Sequence, residues 1–284
     1  MKAYFVADFF IDDVVGGAEK NDAALIQEIE KNNINIEKIR CSELTAEFID
    51  ENSDRVFIVG NFVSLSFSCL MAFNRNQNHI IYEHDYKLFK NRNPIGYRNF
   101  IAPASGLTNL NFYKNAYRTV FLSKLQETIF QNNFTLSNRE NIHCSIFDDE
   151  TLDFIGSING QEKISKVAIV DSANPIKKTA ASIRYCKEND LKFDLIKSSN
   201  YFEFLKILGS YERLLILTGH PEPTPRIAVE AKMLNTKVLC QKNLIGVASE
   251  EWYNQDGDEL IGTIRQLRKS AGNLFKELIF SYDK

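Results

Sequence analysis

Short apolar runs alternate along the chain with longer segments in which apolar residues recur at helical spacing. The short runs are typical of strands buried on both faces of a parallel sheet, and the longer segments are typical of amphipathic helices. Strand followed by helix, repeated along the chain, predicts an α/β fold built on parallel sheets. The predicted strands cover residues 3–7, 35–40, 55–60, 79–83, 117–122, 141–147, 166–170, 192–196, 214–217 and 237–240.

The helices are predicted between these strands. Residues 148–160 are polar, so we expect a linker between two domains there. The predicted helices cover residues 18–31, 45–51, 63–73, 107–116, 124–133, 201–208, 225–234, 260–269 and 274–280.

Length and charge narrow the class of protein. The 284 residues suit two domains of about 100–150 residues each. A net charge of −3 gives no support to a nucleic-acid partner. No segment approaches the roughly 20 apolar residues of a transmembrane helix, and the first residues lack a signal-peptide pattern.

The five cysteines are scattered, odd in number and without metal-ligand spacing. They are interpreted as buried thiols of a cytoplasmic protein. The chain has neither a Walker loop nor a glycine-x-glycine-x-x-glycine fingerprint, so kinase and dehydrogenase functions lack support.

One βαβ unit near the C-terminal end carries the most informative pattern. Residues 214–217 and 237–240 are its strands. Thr224 is predicted to be the N-cap of the intervening helix, with Pro225 at the first helical position, where proline is tolerated. Asn235 is suited to end that helix.

Two carboxylates belong to this unit, Glu222 in its loop and Glu230 in its helix. In open parallel sheets, ligands bind beyond the carboxyl ends of the strands, next to helix N-termini. A carboxylate there accepts hydrogen bonds from sugar or ribose hydroxyls. The alternative is that Glu222 is a solvated loop residue and that Glu230 only complements the helix dipole.

Gly16 and Gly17 stand directly before the helix predicted at 18–31. Small residues and free N–H groups at the positive end of a helix suit a diphosphate. A glycine pair is also common where a loop simply needs backbone freedom.

His84 follows the strand predicted at 79–83. A histidine at a strand end serves as a ligand-facing group or as a base, or else as a hydrogen-bonded loop residue. Its neighbours Glu83 and Asp85 do not indicate a metal site, because adjacent residues of a strand point apart. Asp258 is interpreted as a helix cap, so no metal site is predicted.

Glu222 and Glu230 are separated by seven residues and are followed by Ala231 and a strand. This arrangement resembles the donor-site motif of the retaining family 4 glycosyltransferases, which have the GT-B fold. The string from Val15 to Glu19 after the first strand resembles the loop that lies beside the diphosphate and the acceptor in that family.

The resemblance implies two Rossmann-like domains that face each other across a cleft. Residues 1–156 correspond to the N-terminal, acceptor-side domain, and residues 161–270 to the C-terminal, donor-side domain. Residues 271–284 correspond to a helix that crosses back onto the first domain. The segment 177–222 is shorter than the family norm by a strand and its helix, so we expect a shortened second domain.

The resemblance also implies roles for individual residues. Glu222 would lie beside the transferred sugar, Glu230 would grip the ribose, and Lys177 would neutralise the leaving diphosphate. A histidine at the position of His84 faces the transferred sugar or the acceptor in this family. The implied catalytic residues are His84, Glu222 and Lys177. The implied donor-binding residues are Gly16, Gly17, Lys178, Thr224, Arg226 and Glu230.

The chain departs from the family at three positions. Ser172 stands where the family has an arginine, and the loss of one cation beside a leaving diphosphate should cost several kcal/mol of transition-state stabilisation unless another group substitutes. Arg226 and Arg184 are candidates for that substitution. Pro223 and Pro225 stand where the family prefers glycine, whose N–H groups approach the donor.

Residues 87–103 are rich in basic and aromatic side chains. In GT-B proteins this region borders the acceptor cleft, so the resemblance leaves an anionic or lipid-linked acceptor open, together with peripheral contact with a membrane. The alternative is a solvated loop.

The leading hypothesis is a retaining glycosyltransferase that moves a hexose from a nucleotide-diphosphate sugar to a glycan, lipid or protein acceptor, as in polysaccharide biosynthesis. The nucleotide sugar is a co-substrate, and neither a cofactor nor a metal is expected. The alternative is a degenerate GT-B protein that binds a nucleotide, a glycan or a partner without catalysis. A third hypothesis is a GT-B sugar-nucleotide epimerase. Turnover of a donor sugar separates the first two.

Overall fold

A computed structural model of the protein describes residues 1–282. The described chain forms two compact units. The first unit comprises Met1–Phe147 with the end of the last helix from Gln266, and the second comprises Asp148–Arg265. The change of unit at Asp148 lies earlier along the chain than the boundary expected from the sequence.

The first unit contains a six-stranded parallel sheet with the order β2-β1-β3-β4-β5-β6. Neighbouring residues of β1 such as Phe5 and Val6 point to opposite faces, and both are fully buried, so the sheet is covered on both sides. The elements of this unit are β1 Lys2–Ala7, α1 Gly17–Glu30, β2 Asn35–Arg40, α2 Ala46–Glu51, β3 Phe57–Val59, α3 Phe67–Asn76, β4 His79–Tyr82, α4 Leu110–Asn115, β5 Arg118–Phe121, α5 Lys124–Asn133 and β6 Arg139–Asn141.

The second unit contains a four-stranded parallel sheet with the order β10-β9-β7-β8. In the register of this sheet, Ala168 of the central strand lies opposite Leu214 on one side and Asp194 on the other. The elements are α6 Asp149–Ile158, β7 Ile164–Val170, α7 Thr179–Glu188, β8 Phe193–Ile196, α8 Tyr201–Gly209, β9 Tyr211–Ile216, α9 Arg226–Met233 and β10 Lys237–Cys240, followed by α10 Gly257–Tyr282, which ends in the first unit. The predicted α/β class with two Rossmann-like domains is confirmed.

The stretch interpreted as a polar linker is the helix α6. The side chain of Asp148 accepts a hydrogen bond of 2.7 Å from the backbone N–H of Thr151 and so caps the helix. Leu152 and Ile155, three residues apart, are fully buried. The stretch is therefore a helix with an acidic first turn and a narrow apolar face, and the change of unit falls at its start.

The strand predicted at 141–147 was wrong. The strand β6 is Arg139–Asn141. The N–H of Ile142 still donates to the carbonyl of Phe121 in β5, at 3.0 Å, and residues 144–147 are buried outside any strand. At Ile146 the backbone is bound by a side chain instead, since its N–H donates to the side-chain oxygen of Asn21. An apolar run therefore indicated burial correctly but indicated the wrong secondary structure.

The two helices predicted at the C-terminal end are one continuous helix, α10. The helix continues through Gly272. A Cβ at this position would lie 2.6 Å from Cγ of Glu28, so glycine allows α1 and α10 to approach each other closely here. Asp258 lies inside this helix, where it accepts a hydrogen bond of 2.7 Å from Asn159, so its interpretation as the cap was wrong.

All five cysteines are free thiols. Cys41, Cys69, Cys144 and Cys186 are buried, as predicted, and Cys240 is half-buried. Within residues 1–282, none of the helices combines the length and the apolar character that crossing a membrane requires.

Candidate functional site

The second sheet changes the direction of its strand order at β7. The chain runs from β7 to β8 on one side and then returns to β9 on the other, so the loops after β7 and β9 diverge from adjacent strand ends. Such a switch point is the usual ligand site of an open parallel sheet. The first loop carries Ser172 and Lys177, and the second carries Glu222.

Lys177 and Glu222 form an ion pair across these two loops. The ammonium group of Lys177 donates to both carboxylate oxygens of Glu222, at 3.1 and 3.0 Å. The side chain of Lys177 is 41% exposed, whereas that of Glu222 is 10% exposed. The structure therefore brings together two predicted catalytic residues that are far apart in the sequence, and leaves the cation accessible.

The backbone on both sides of this ion pair is fixed. The N–H of Glu222 donates to the carbonyl of Leu244, and the carbonyl of Glu222 accepts from the N–H of Gly246, both at 2.8 Å. The N–H of Gly219 donates to the carbonyl of Ile176 at 2.9 Å and ties the two loops together. The predicted carboxylate therefore lies on anchored backbone rather than on a free loop.

Lys178 and Gly219 approach each other closely. Lys178 adopts a left-handed backbone conformation with φ of 50°. A Cβ on Gly219 would lie 3.0 Å from Cε of Lys178, so a larger residue at 219 would push the lysine stem away. Glycine at position 219 therefore leaves space for the side chain of Lys178.

Glu230 lies on α9 and is 3% exposed. One of its carboxylate oxygens accepts a hydrogen bond of 2.7 Å from the hydroxyl of Tyr201, and Nε of Arg226 lies 3.6 Å from the same oxygen. Burial, reinforced by the negative charge of Glu230, raises the pKa of the Tyr201 phenol, so this hydroxyl remains a donor. The carboxylate is thus held in one orientation.

Tyr201 was missed by the sequence analysis. It is the first residue of α8, directly after β8 and its loop. In a parallel sheet the helix starts lie at the same edge as the strand ends, and that topology is the signal that would have placed Tyr201 near Glu230.

The start of α9 differs from the prediction. The helix begins at Arg226, with Pro225 at the N-cap position and no side-chain cap. Thr224 was therefore wrong as N-cap. The reason is that Pro225 is not helical but extended, with ψ of 113°, so the helix starts one residue later than expected. Thr224 is instead buried directly before the helix.

Of the two arginines considered as substitutes at the Ser172 position, Arg226 is buried beside Glu230. Arg184 is exposed on α7. Ser172 organises its own loop, since its hydroxyl accepts from the N–H of Asn174 at 3.2 Å. Arg226 is therefore the arginine that the fold places beside a predicted donor-binding residue.

In the first unit, His84 directly follows Glu83 at the carboxyl end of β4. Its Nε2 lies 2.6 Å from a carboxylate oxygen of Asp22 on α1, and the two side chains are only 6% and 2% exposed. The ring of Tyr82 meets the imidazole edge-on at 4.6 Å. The predicted histidine is therefore one member of a buried histidine–carboxylate pair, and Asp22 was not foreseen.

Gly17 begins α1, and Gly16 precedes it in extended conformation. A carboxylate oxygen of Glu19 occupies the position that a Cβ on Gly16 would take. Burial raises the pKa of this half-buried carboxyl, and the nearby carboxylates of Asp22 and Asp8 act in the same direction. The helix start that was predicted to receive a diphosphate is therefore already next to an internal carboxylate.

The stretch 87–103 is only partly exposed: Lys87 is buried, whereas Lys90, Arg92 and Arg98 are exposed. Lys87 is 2% exposed, and its ammonium donates to Glu83 at 2.7 Å and to Asp85 at 2.9 Å. Burial alone would lower the pKa of Lys87, but the two carboxylates outweigh it and raise the pKa. Arg92 also pairs with Asp85. Lys87 and Arg92 are therefore paired with carboxylates of the protein, whereas Lys90 and Arg98 are exposed.

No protein-family model and no curated protein matches this sequence. Among solved structures, the chain is similar to Anabaena HepE in complex with UDP, with a TM-score of 0.54, 15% identity, and coverage of 100% of this chain and 97% of that one. For HepE with UDP-glucose the TM-score is 0.51, at 14% identity and the same coverage. A glycosyltransferase from Rickettsia africae matches with a TM-score of 0.50 and 11% identity, over 100% of this chain and 94% of that one. At such identities the similarity concerns the fold, and it confirms the predicted GT-B class.

Proposed function

We propose that the protein is a retaining glycosyltransferase that moves a hexose from a nucleotide-diphosphate sugar to a hydroxyl acceptor, without a metal or a cofactor. The observation that carries this proposal is the Lys177–Glu222 pair at the switch point of the second sheet. The fold similarity to HepE, whose structures contain UDP and UDP-glucose, supports UDP as the nucleotide.

In this proposal Lys177 exchanges its partner when the donor binds. An ion pair whose cation is half-exposed contributes about 1 kcal/mol or less to folding, so breaking it costs little. The ammonium group then neutralises the diphosphate, where negative charge develops as the sugar leaves. The released carboxylate of Glu222 accepts hydrogen bonds from the sugar hydroxyls.

Glu230 is the proposed ribose ligand. A carboxylate offers about four acceptor sites, and the hydroxyl of Tyr201 occupies one of them. The remaining sites suit the vicinal hydroxyls of a ribose. Arg226, beside Glu230, supplies the positive charge that Ser172 cannot, and Thr224 and Lys178 complete the proposed donor site.

In the first unit, His84 is the proposed contact to the sugar or the acceptor. The acceptor is proposed to bear a hydroxyl group, and the exposed Lys90 and Arg98 keep an anionic acceptor compatible with this site, although Lys87 and Arg92 are paired with carboxylates. Gly16 and Gly17 remain proposed contacts to the donor phosphate, with Glu19 displaced from the helix start.

The test is an assay of UDP-sugars with glycan, lipid-linked and protein acceptors, which measures UDP release and the anomeric configuration of the product. We expect transfer with retention, and a loss of at least about 100-fold when Lys177→Met removes the cation. Lys187→Met, on the exposed face of α7, is the matched control and should leave the rate unchanged.

Inversion of the anomeric centre would overturn the retaining mechanism. Tight UDP binding without transfer to any acceptor would favour the non-catalytic binding protein instead. Formation of an epimeric UDP-sugar would favour the epimerase.

A further inference from the structure

The Asp22–His84 pair fixes which imidazole nitrogen carries a proton. Nε2 of His84 lies 2.6 Å from Oδ1 of Asp22. An ionised carboxylate only accepts hydrogen bonds, so Nε2 must be the donor. In the neutral imidazole the lone pair then resides on Nδ1.

That second nitrogen is available to a ligand. Within the part of the chain that the structure describes, Nδ1 of His84 has no hydrogen-bond partner, yet it does not belong to the buried polar atoms that lack one. Nδ1 of His79, by contrast, is sealed in the interior without a partner. The lone pair of His84 is therefore presented at the carboxyl edge of the first sheet, where parallel sheets bind ligands.

The backbone of His84 is held as firmly as its ring. The side-chain amide of the fully buried Gln126 donates to the carbonyl of Glu83 at 3.0 Å and to the carbonyl of Asp85 at 2.9 Å. Both neighbours of His84 are thereby fixed. Gly60, at the end of β3, leaves room for Asp22, because a Cβ there would lie 3.2 Å from the second carboxylate oxygen.

We propose that Asp22 is a positioning residue that locks His84 in the Nε2–H tautomer, so that Nδ1 accepts a hydrogen bond from a substrate hydroxyl group. The inference rests on the proposed function, because the hydroxyl belongs either to the transferred hexose or to the acceptor. The buried, aligned pair is pre-organised for this contact and needs no rearrangement when substrate binds.

Asp22→Asn is the decisive variant. It conserves shape but has no negative charge, so Nε2 loses the ionised acceptor that holds its proton, and the neutral imidazole can carry the proton on Nδ1, which then cannot accept. The tautomer is measured by nitrogen NMR on histidine-labelled protein, in which His84 is one of four histidines and is assigned with His84→Gln. We expect only the Nε2–H form in the wild type, a measurable population of the Nδ1–H form in Asp22→Asn, and a loss of transfer rate of at least about 10-fold.

The substrate that supplies the hydroxyl is identified from the kinetic constants. A rise in KM for the donor assigns it to the hexose, and a rise in KM for the acceptor assigns it to the acceptor. Asp12→Asn, in an exposed pair with Lys38, is the matched control and should change neither the tautomer nor the rate.

A second pair of variants tests the proposal independently of Asp22. In His84→Asn the amide oxygen reaches the position of Nδ1, so we expect partial activity. His84→Gln reaches the position of Nε2 and conserves the bond to Asp22, yet it lacks the acceptor and should be less active. A purely structural role would reverse this order.

The proposal is overturned if the wild type shows the Nδ1–H tautomer, or if Asp22→Asn transfers sugar at the wild-type rate with unchanged KM values. Binding of UDP should be unaffected by Asp22→Asn, because neither Asp22 nor His84 is among the proposed contacts to the nucleotide. A wild-type protein that binds no UDP would instead reject the proposed function, and with it the role of Asp22.

Discussion

At the scale of single residues, the polar groups of this protein differ in whether their neighbours complete their hydrogen bonds. Glu230 is buried but held by Tyr201, whereas His79 is buried with only one of its ring nitrogens satisfied. Nε2 of His79 bonds the carbonyl of Phe112 at 3.0 Å, and its imidazole stacks on the ring of Phe112 at 4.3 Å. The surroundings of Glu230 suit a ligand site, whereas those of His79 suit a position in the core.

His79 should make stability depend on pH. Burial lowers its pKa from 6.5 to about 4, although the carbonyl of Phe112 acts in the opposite direction. Below about pH 6.5, His79 binds a proton in the unfolded chain, whereas the buried His79 of the folded protein stays neutral until the pH approaches about 4. The free energy of unfolding is therefore highest above about pH 6.5, the pKa of His79 in the unfolded chain, and falls as the pH decreases towards about 4, its pKa in the folded protein. We expect a loss of about 2 kcal/mol between about pH 7 and about pH 5.

Urea unfolding at the two pH values measures this loss. His79→Gln can still donate to the carbonyl of Phe112 but does not titrate, so its stability should fall by about 2 kcal/mol less over the same interval. An equal fall in the variant and the wild type would show that His79 is not responsible.

At the scale of elements, local signals determined many boundaries. The residues predicted for β2, α5 and β10 agree with the observed Asn35–Arg40, Lys124–Asn133 and Lys237–Cys240. Ser123 caps α5 by accepting from the N–H of Gln126. Prediction failed where tertiary contacts decide, as at 142–147, where the N–H of Ile146 donates to the Asn21 side chain.

The end of α3 predicts a stabilising substitution. Gln77 ends this helix in the left-handed conformation, with φ of 56°, and its side chain is exposed. Glycine adopts this conformation without the steric cost that other residues bear. Gln77→Gly should therefore raise the free energy of unfolding by about 1 kcal/mol, measured by chemical denaturation.

Gln77→Ala is the control for this substitution. It removes the same side chain but keeps the Cβ, so it should give no gain. A gain of equal size for alanine would indicate that the Gln77 side chain, and not the backbone conformation, is unfavourable.

At the scale of the whole molecule, parallel topology assembles residues that the sequence separates. Lys177 and Glu222 are 45 positions apart, and Asp22 and His84 are 62 positions apart, yet both pairs are in hydrogen-bond contact. The motifs identified one or both members of each pair, since glutamate spacing and a histidine after a strand are visible in the chain. Asp22 and Tyr201 were missed because only the strand order reveals which helix starts share an edge.

The same topology bears on how the acceptor is recognised. The sequence indicated a basic, aromatic segment at 87–103, but Lys87 forms buried ion pairs with Glu83 and Asp85. Composition shows that charges are present, whereas only the fold shows which of them neutralise each other.

The central claim is that the second unit binds a nucleotide through Glu230, and calorimetric titration with UDP and UDP-glucose tests it most directly. Glu230→Gln is nearly isosteric but removes the charge that holds the ribose. We expect UDP to bind the wild type and to bind this variant at least about 10-fold more weakly, because hydrogen bonds to a charged group contribute about 1.5–3 kcal/mol. Glu188→Gln, exposed at the end of α7, should bind as the wild type does. Equal affinity in wild type and Glu230→Gln, or no binding of any nucleoside diphosphate to the wild type, would contradict the claim.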